Sequence, residues 1–202
     1  MDLKGGVALM IDVHQDGATT AAAGTAPTGE AGSPTLRSLP ALIELCQRWR
    51  IAYRETTNFT NLRGVVVTSG STSCIAISQR LSEPEKLDTL AHELAHVALG
   101  HTAGPATLSL TGERPSRKQR EQLRKQDHEA SMWAAHLLVS PALYDMHLHE
   151  ARGSNPDERM AVEVAIARTA VQLNILTRTV ALWLETRDHA FSVAPHVWLE
   201  QH

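Results

Sequence analysis

The stretch Asp88–His101, DTLAHELAHVALGH, places three histidines and one glutamate within ten residues. His92 and His96 are four residues apart, a spacing that puts both imidazoles on the same face of a helix. Two imidazoles in that arrangement can share one tetrahedral zinc ion. Glu93 directly follows His92, where a carboxylate can act as a base on water without itself binding the metal. The spacing therefore predicts a zinc site that carries its own general base.

The residues around this motif predict the helix that would carry it. Ser82 and Glu85 have the spacing of a capping box at a helix start, and Gly100 is a plausible terminator. At about 100° per residue, the polar side chains from Asp88 to Gly100 fall within an arc of about 140°. Apolar residues occupy most of the remaining surface. We therefore expect a helix that is buried on most sides and exposes one narrow polar stripe.

A third ligand must come from elsewhere in the chain. His101 is one residue short of the position that the extended histidine motif of the metzincins requires. It would also face away from the pair if the helix continued. We therefore do not expect it to bind the metal. The later segment KQDHEASMWAAHLLVSP offers four candidates, namely Asp127, His128, Glu129 and His136.

Helical geometry limits which of these candidates can be the third ligand, but it does not identify a single residue. Asp127 and Glu129 are two residues apart and point about 200° from each other on a helix, so only one of them can face the metal. The spacing alone does not choose between them.

Together, these segments resemble the ImmA/IrrE family of zinc metallopeptidases over residues from about 39 to 185. The resemblance rests on LDTLAHELAHVALGH, followed about 30 residues later by HEASMWAAHLLVSP, and on the preceding segments RWRI and CIAIS. The second motif is similar to the family pattern E-A-x-x-F-A-x-x-L-L-x-P. Trp133 replaces the usual phenylalanine, and Ser140 stands before Pro141 where an apolar residue is common.

The resemblance implies a site and a function. By position, His92, His96 and Glu129 would bind one zinc ion per chain, and Glu93 would be the catalytic carboxylate. The implied activity is a zinc-dependent endopeptidase that cleaves a helix-turn-helix repressor, or a similar regulatory protein, of a phage, a mobile element or a stress response.

Three further side chains are candidates for supporting roles. Asp88 lies one turn before His92 and could orient it by accepting a hydrogen bond, or could be an acid favoured in the first turns of a helix. Tyr144 and His147, with His149, follow Pro141 and could supply a second oxyanion donor. Their alternative is a surface position on a short helix.

The pattern of segments predicts an α+β, zincin-like fold. We expect a flexible leader over residues 1–35, rich in Ala, Gly, Thr and Pro, and a metallopeptidase domain over residues 36–150. IAYRE, GVVVTS and SCIAISQ predict a small three-stranded sheet packed on the active-site helix. The chain then becomes all-helical, and residues 151–202 form a helix-turn-helix-like region packed on the same domain.

Composition limits the other functions. Lys and Arg total 19 against 22 Asp and Glu, and this net charge of −3 does not favour direct nucleic-acid binding. Cys46 and Cys74 are too few for a cysteine-based zinc site. No signal or membrane segment is recognised, so we expect a cytoplasmic protein that does not bind membranes. Two alternatives remain: a non-catalytic regulator that binds a repressor stoichiometrically, and a DNA-binding protein that uses the C-terminal helices.

Overall fold

The computed structural model describes residues 37–69, 72–101, 115–191 and 195. The predicted leader, residues 1–35, lies outside the described residues, as do residues 102–114. The expectation for the leader stays a prediction.

The described chain begins with a helix and a three-stranded sheet, as the sequence predicted. The elements are α1 (Leu39–Arg48), β1 (Ile51–Thr56), β2 (Gly64–Ser69) and β3 (Thr72–Ser78). The strand order is β1-β3-β2, with β1 parallel to β3 and β2 antiparallel to it. Within the described residues, β2 is therefore an edge strand. Its β-branched Val65 and Val66 are buried, and Val66 pairs with Ile75 of β3.

The motif helix, α2 (Glu83–Ala98), packs on this sheet. Its start is fixed by the predicted capping box, in which the backbone N–H of Ser82 donates to Glu85 Oε2 at 3.0 Å. Apolar side chains from α1, β3 and α2 form one core with almost no exposure: Leu42, Leu45, Cys46, Ile75, Ile77, Leu87, Leu90 and Leu94. The helix is buried on most sides, as predicted, but its polar stripe is less exposed than expected, because Thr89, Glu93 and His96 are themselves buried.

The second half is all-helical. It consists of α3 (Arg117–Leu138), α4 (Pro141–Ser154), α5 (Glu158–Leu173) and α6 (Thr177–Thr186). Helix α3 packs against both α2 and α6, and α4 packs against α5. These helices and the sheet make the α+β architecture expected of a zincin-like fold. The predicted domain boundary between residues 150 and 151 falls inside α4.

Asn174 separates α5 from α6 in a left-handed conformation with φ 52°, a geometry that asparagine tolerates better than most residues. Among the described residues no single helix is long and apolar enough to cross a membrane. Helices α5 and α6 together have the length and apolar composition of a membrane-spanning segment, but they are bent by 120° relative to each other.

Candidate metal centre

Three side chains from two helices converge at the polar stripe of α2. His92 Nε2 lies 3.2 Å from His96 Nε2 and 3.3 Å from Asp127 Oδ1 of α3. The three potential ligand atoms all lie within 4.8 Å of one another. A tetrahedral zinc ion with bonds of 2.0–2.1 Å holds its ligand atoms about 3.3 Å apart. The donor set and its spacing therefore fit a metal ion of that size.

The third member of this group is Asp127, where the resemblance had implied Glu129. The Glu129 carboxylate is not part of the group, and its Oε2 lies 3.7 Å from His101 Nε2. Two residues on a helix turn a side chain by about 200°, so bringing Asp127 to the imidazoles turns Glu129 away from them. In the structure the carboxylate grouped with the two imidazoles is thus that of Asp127, which differs from the position that the resemblance implied.

The second ring nitrogen of His92, Nδ1, contacts a side chain that sequence reasoning missed. Ser131 Oγ lies 3.2 Å from His92 Nδ1, and Ser131 also donates to the backbone carbonyl of Asp127 at 2.9 Å. Because its single proton goes to that carbonyl, the Ser131 oxygen is left to accept from the Nδ1–H of His92. This tautomer leaves the lone pair of Nε2 free for a metal. Ser131 lies one helical turn after Asp127, a spacing that could have identified it.

His96 makes the equivalent contact with His101, whose Nδ1 lies 3.0 Å from His96 Nδ1. His101 would face away from the site only on a helix that continued to residue 101, and the helix ends before it. Gly100 has φ 67°, and the N–H groups of Gly100 and His101 bond back to the carbonyls of Val97 and His96. This Schellman turn reverses the chain and places the His101 ring against His96.

Glu93 is buried beside the group, with only 7% of its surface exposed. Burial raises the pKa of Glu93 to about 7. The charge of Asp127 acts in the same direction, whereas the charge of His92 and a backbone hydrogen bond from Val66 oppose it. A carboxyl group that titrates near neutrality is suited to accept and return a proton at physiological pH.

The electrostatics of His96 and Asp127 favour the forms that bind metals, whereas those of His92 favour its protonated ring. Burial, together with the charges of His92 and His101, lowers the pKa of His96 to about 4 and keeps its imidazole neutral. The contact with His92 lowers the pKa of Asp127 and keeps it a carboxylate. Burial alone would lower the pKa of His92, but the Asp127 contact and the charges of Glu93 and Asp88 outweigh it and raise that pKa.

The group opens into a cavity of about 560 Å³. Strand β2 forms one wall through Gly64, Val65 and Val66, and α6 forms another through Arg178, Thr179 and Leu182. Sequence reasoning did not predict this second wall, because it depends on how α6 packs against α3. The predicted C-terminal helical region therefore contributes directly to the site.

Asp88 anchors that wall. Its carboxylate accepts from Arg178 Nη2 at 3.0 Å and from Thr179 Oγ1 at 2.5 Å. Orienting His92 as a hydrogen-bond acceptor was one of the two roles that the sequence left open for Asp88. Instead, both of its carboxylate oxygens are engaged by α6, and its influence on His92 is electrostatic.

Tyr144 and His147, the predicted oxyanion donors, do not line the cavity. Tyr144 is buried against Trp183 with ring centroids 5.2 Å apart, and His147 Nδ1 contacts Thr169 Oγ1 at 3.0 Å. Both side chains therefore pack between the C-terminal helices. Their surface alternative is also wrong, because both are buried, whereas His149 is exposed.

Comparison with known proteins gives a family for this arrangement. No curated protein and no solved structure matches the chain. A family model described as the IrrE N-terminal-like domain matches residues 50–172, which is more than half of the chain and includes every member of the metal centre. On this match and the arrangement of the site, the chain belongs to the Peptidase_M78 family, the family of IrrE N-terminal-like domains.

Proposed function

We propose that the protein is a zinc-dependent endopeptidase and that its substrate is a regulatory protein, such as a helix-turn-helix repressor. The observation that carries this proposal is the convergence of His92, His96 and Asp127 next to the buried carboxyl group of Glu93. The family match supports metallopeptidase activity in general and does not identify a substrate. The repressor substrate is an expectation from the resemblance alone.

His92, His96 and Asp127 would hold the zinc ion. Two imidazoles and one carboxylate are a common ligand set for catalytic zinc, which keeps its fourth position open. When bound, zinc lowers the pKa of a coordinated water to about 7 and polarises a carbonyl group. The ordered contacts of His92 with Ser131 and of His96 with His101 support this assignment, because ligating histidines usually engage their second nitrogen as well.

Glu93 would act as the general base and then as the general acid. Its carboxylate takes the proton from the attacking water and returns it to the amine that leaves when the peptide bond breaks. A pKa near 7 allows both transfers at physiological pH. The carboxyl group lies at the cavity wall, among the residues that a bound peptide would contact.

The edge strand β2 offers a place for an extended substrate segment. Among the described residues β2 pairs with β3 on one side, and its residues 64–66 line the cavity. A peptide that added to the other side of β2 would run past Glu93, which already accepts a hydrogen bond from the backbone of Val66, and other backbone groups of β2 would hold the peptide. This arrangement suits an endopeptidase, because an added strand needs no free terminus.

Two other functions compete with this proposal. A regulator that only binds a repressor would have no use for Glu93, whose burial costs stability when the group is charged. A DNA-reading role for α6 is disfavoured because Thr179, Val180 and Trp183 are buried and Arg178 is paired with Asp88. The net charge of −3 also does not favour binding to DNA.

Co-expression tests the function. The wild-type protein, Glu93→Gln and the exposed control His149→Gln are each produced with the repressor encoded next to the gene, and the repressor is analysed by intact mass. We expect defined fragments with the wild type and the control, and an intact repressor with Glu93→Gln. An intact repressor in all three samples would contradict this substrate. Equal cleavage by Glu93→Gln would contradict the mechanism.

A further inference from the structure

From His96, contacts lead away from the candidate metal centre to two side chains that do not line the cavity, His101 and Glu129. His96 directs Nε2 toward His92, and its Nδ1 lies 3.0 Å from His101 Nδ1. The other nitrogen of His101, Nε2, lies 3.7 Å from Glu129 Oε2. The first contact is a hydrogen bond, whereas the second is longer than one and is an electrostatic contact.

The position of each proton along the series His96, His101 and Glu129 follows from the proposed metal site. A His96 that offers the lone pair of Nε2 to a metal must carry its proton on Nδ1. That proton can only be donated to a lone pair on His101 Nδ1, so the proton of a neutral His101 is on Nε2, facing the Glu129 carboxylate. Each link in the sequence His96, His101, Glu129 thus has a donor facing an acceptor.

The surroundings hold His101 in this position. Its side chain is only 7% exposed, and the Schellman turn at Gly100 fixes its backbone through the bond from its N–H to the His96 carbonyl. Burial lowers the pKa of His101, while the charge of Glu129 raises it. Glu129 is 40% exposed, so water weakens its attraction to His101 and its influence should be the smaller of the two.

We infer that His101 is a positioning residue that fixes the ring of His96 for metal binding, and that Glu129 acts on the metal centre only through His101. This inference rests on the proposed zinc site. It gives Glu129 a role different from the direct ligation that the family pattern implied. Partners of this kind orient ligating histidines and raise their basicity, and losing one costs about 10- to 100-fold in metal affinity.

Zinc affinity, measured by competition with a chromogenic chelator at fixed pH, tests the inference without using activity. We expect His101→Phe to bind one zinc ion with an affinity reduced about 10- to 100-fold. Glu129→Ala should lose less, and Glu129→Gln, which keeps an acceptor oxygen, should stay nearer to the wild type. The matched control His149→Gln should leave the affinity unchanged, because that side chain is exposed.

A double-mutant cycle shows whether Glu129 acts on the metal centre through His101 or as an independent ligand. If Glu129 acts through His101, adding Glu129→Ala to His101→Phe changes the affinity no further. An equal loss in both backgrounds would make Glu129 an independent ligand and overturn the inference. An unchanged affinity in His101→Phe would overturn it as well. Should His101→Phe not fold, His101→Gln replaces it in the cycle, and an unchanged affinity in that variant overturns the inference.

The same zinc-affinity assay distinguishes failure of the proposed zinc site from failure of the role inferred for His101. Asp127→Ala removes a proposed ligand and should abolish measurable zinc binding. Retention of wild-type affinity in that variant would contradict the proposed site itself. Loss of zinc in Asp127→Ala together with wild-type affinity in His101→Phe would leave the zinc site standing and overturn only the role of His101.

Discussion

Gly64 and Glu93 lie so close together, where the edge strand meets the motif helix, that residue 64 has no room for a side chain. A Cβ atom built on Gly64 would lie 3.0 Å from Glu93 Oε1 and 2.6 Å from Thr89 Cγ2. Strand β2 can therefore approach α2 this closely only because residue 64 has no side chain. This approach helps to bury the Glu93 carboxyl group, which is what raises its pKa.

Gly64→Ala should impair catalysis while sparing the metal. The added methyl group collides with Thr89 and pushes the Glu93 side chain, so we expect a loss of about 1–3 kcal/mol in unfolding free energy and a lower cleavage rate. None of the proposed zinc ligands is touched, so the zinc content should remain near one per chain. Gly153→Ala is the matched control, because nothing lies within 4 Å of a Cβ there. Equal activity and stability in the two variants would show that the contact is unimportant.

Glu93→Gln and Asp127→Asn should separate proton transfer from metal binding. Glu93→Gln keeps the shape of the side chain but cannot accept the proton, and we expect a fall of about 10²–10⁴-fold in rate with zinc retained. Asp127→Asn removes the negative ligand, and we expect zinc to be lost. Metal analysis beside a peptide-cleavage assay measures both. The opposite pattern, with zinc lost in Glu93→Gln and kept in Asp127→Asn, would exchange the two assigned roles.

In the metal-free protein, the burial of Glu93 should make the free energy of unfolding depend on pH. The folded-state pKa of about 7 lies above the ordinary value of 4.5. The contribution of Glu93 to stability is therefore fully present below pH 4.5 and is lost as pH rises through about 7. The buried His96, with its lowered pKa, acts in the opposite direction, so wild type and Glu93→Gln must be compared at each pH.

The comparison uses unfolding by urea in the presence of a chelator from pH 5 to 8. Because His96 is present in both proteins, its contribution largely cancels in the difference. We expect the wild type to lose stability relative to Glu93→Gln as pH rises, by up to about 3 kcal/mol. Parallel curves would mean that the carboxyl group is more hydrated than its burial implies.

Gly100→Ala should disturb the turn that positions His101. Residue 100 has φ 67°, a conformation that costs alanine roughly 1 kcal/mol more than glycine. We expect that loss in the free energy of unfolding, and a weaker affinity for zinc if the turn shifts. Gly100→Asn should cost less, since asparagine is accepted at this position of the Schellman turn. Equal destabilisation by both variants would indicate that space, rather than backbone conformation, limits residue 100.

Local features of the site could be predicted from the sequence, whereas contacts between distant elements could not. The i, i+4 histidines, Glu93 and the capping box are properties of one helix, and the apolar pattern around them is sufficient to identify it. Helical geometry also predicted that only one of Asp127 and Glu129 could face the two histidines, and in the structure Asp127 is the one grouped with them. Which of the two does so depends on how α3 is rotated against α2.

The positions of His101, Gly64 and Asp88 in the structure also depend on where the chain turns and on which elements pack together. His101 was expected to face away because the helix was extended past Gly100, although that glycine had been identified as a terminator. A left-handed residue redirects everything that follows it. Gly64 opens a strand of valines, and a glycine in that position can mark a close backbone approach. The pairing of Asp88 with α6 joins residues 90 positions apart, a contact that no local pattern encodes.

That pairing leads to a prediction about the cavity wall formed by α6. Arg178 is 61% exposed on its side chain, so its ion pair with Asp88 is screened by water, and Arg178→Ala should cost no more than about 1 kcal/mol. Thr179 is buried, and Thr179→Val leaves an Asp88 oxygen without its donor, which should cost about 1–3 kcal/mol. Urea unfolding of the two variants measures both losses. A larger loss in Arg178→Ala would mean that charge, rather than the buried hydroxyl group, holds α6 against the site.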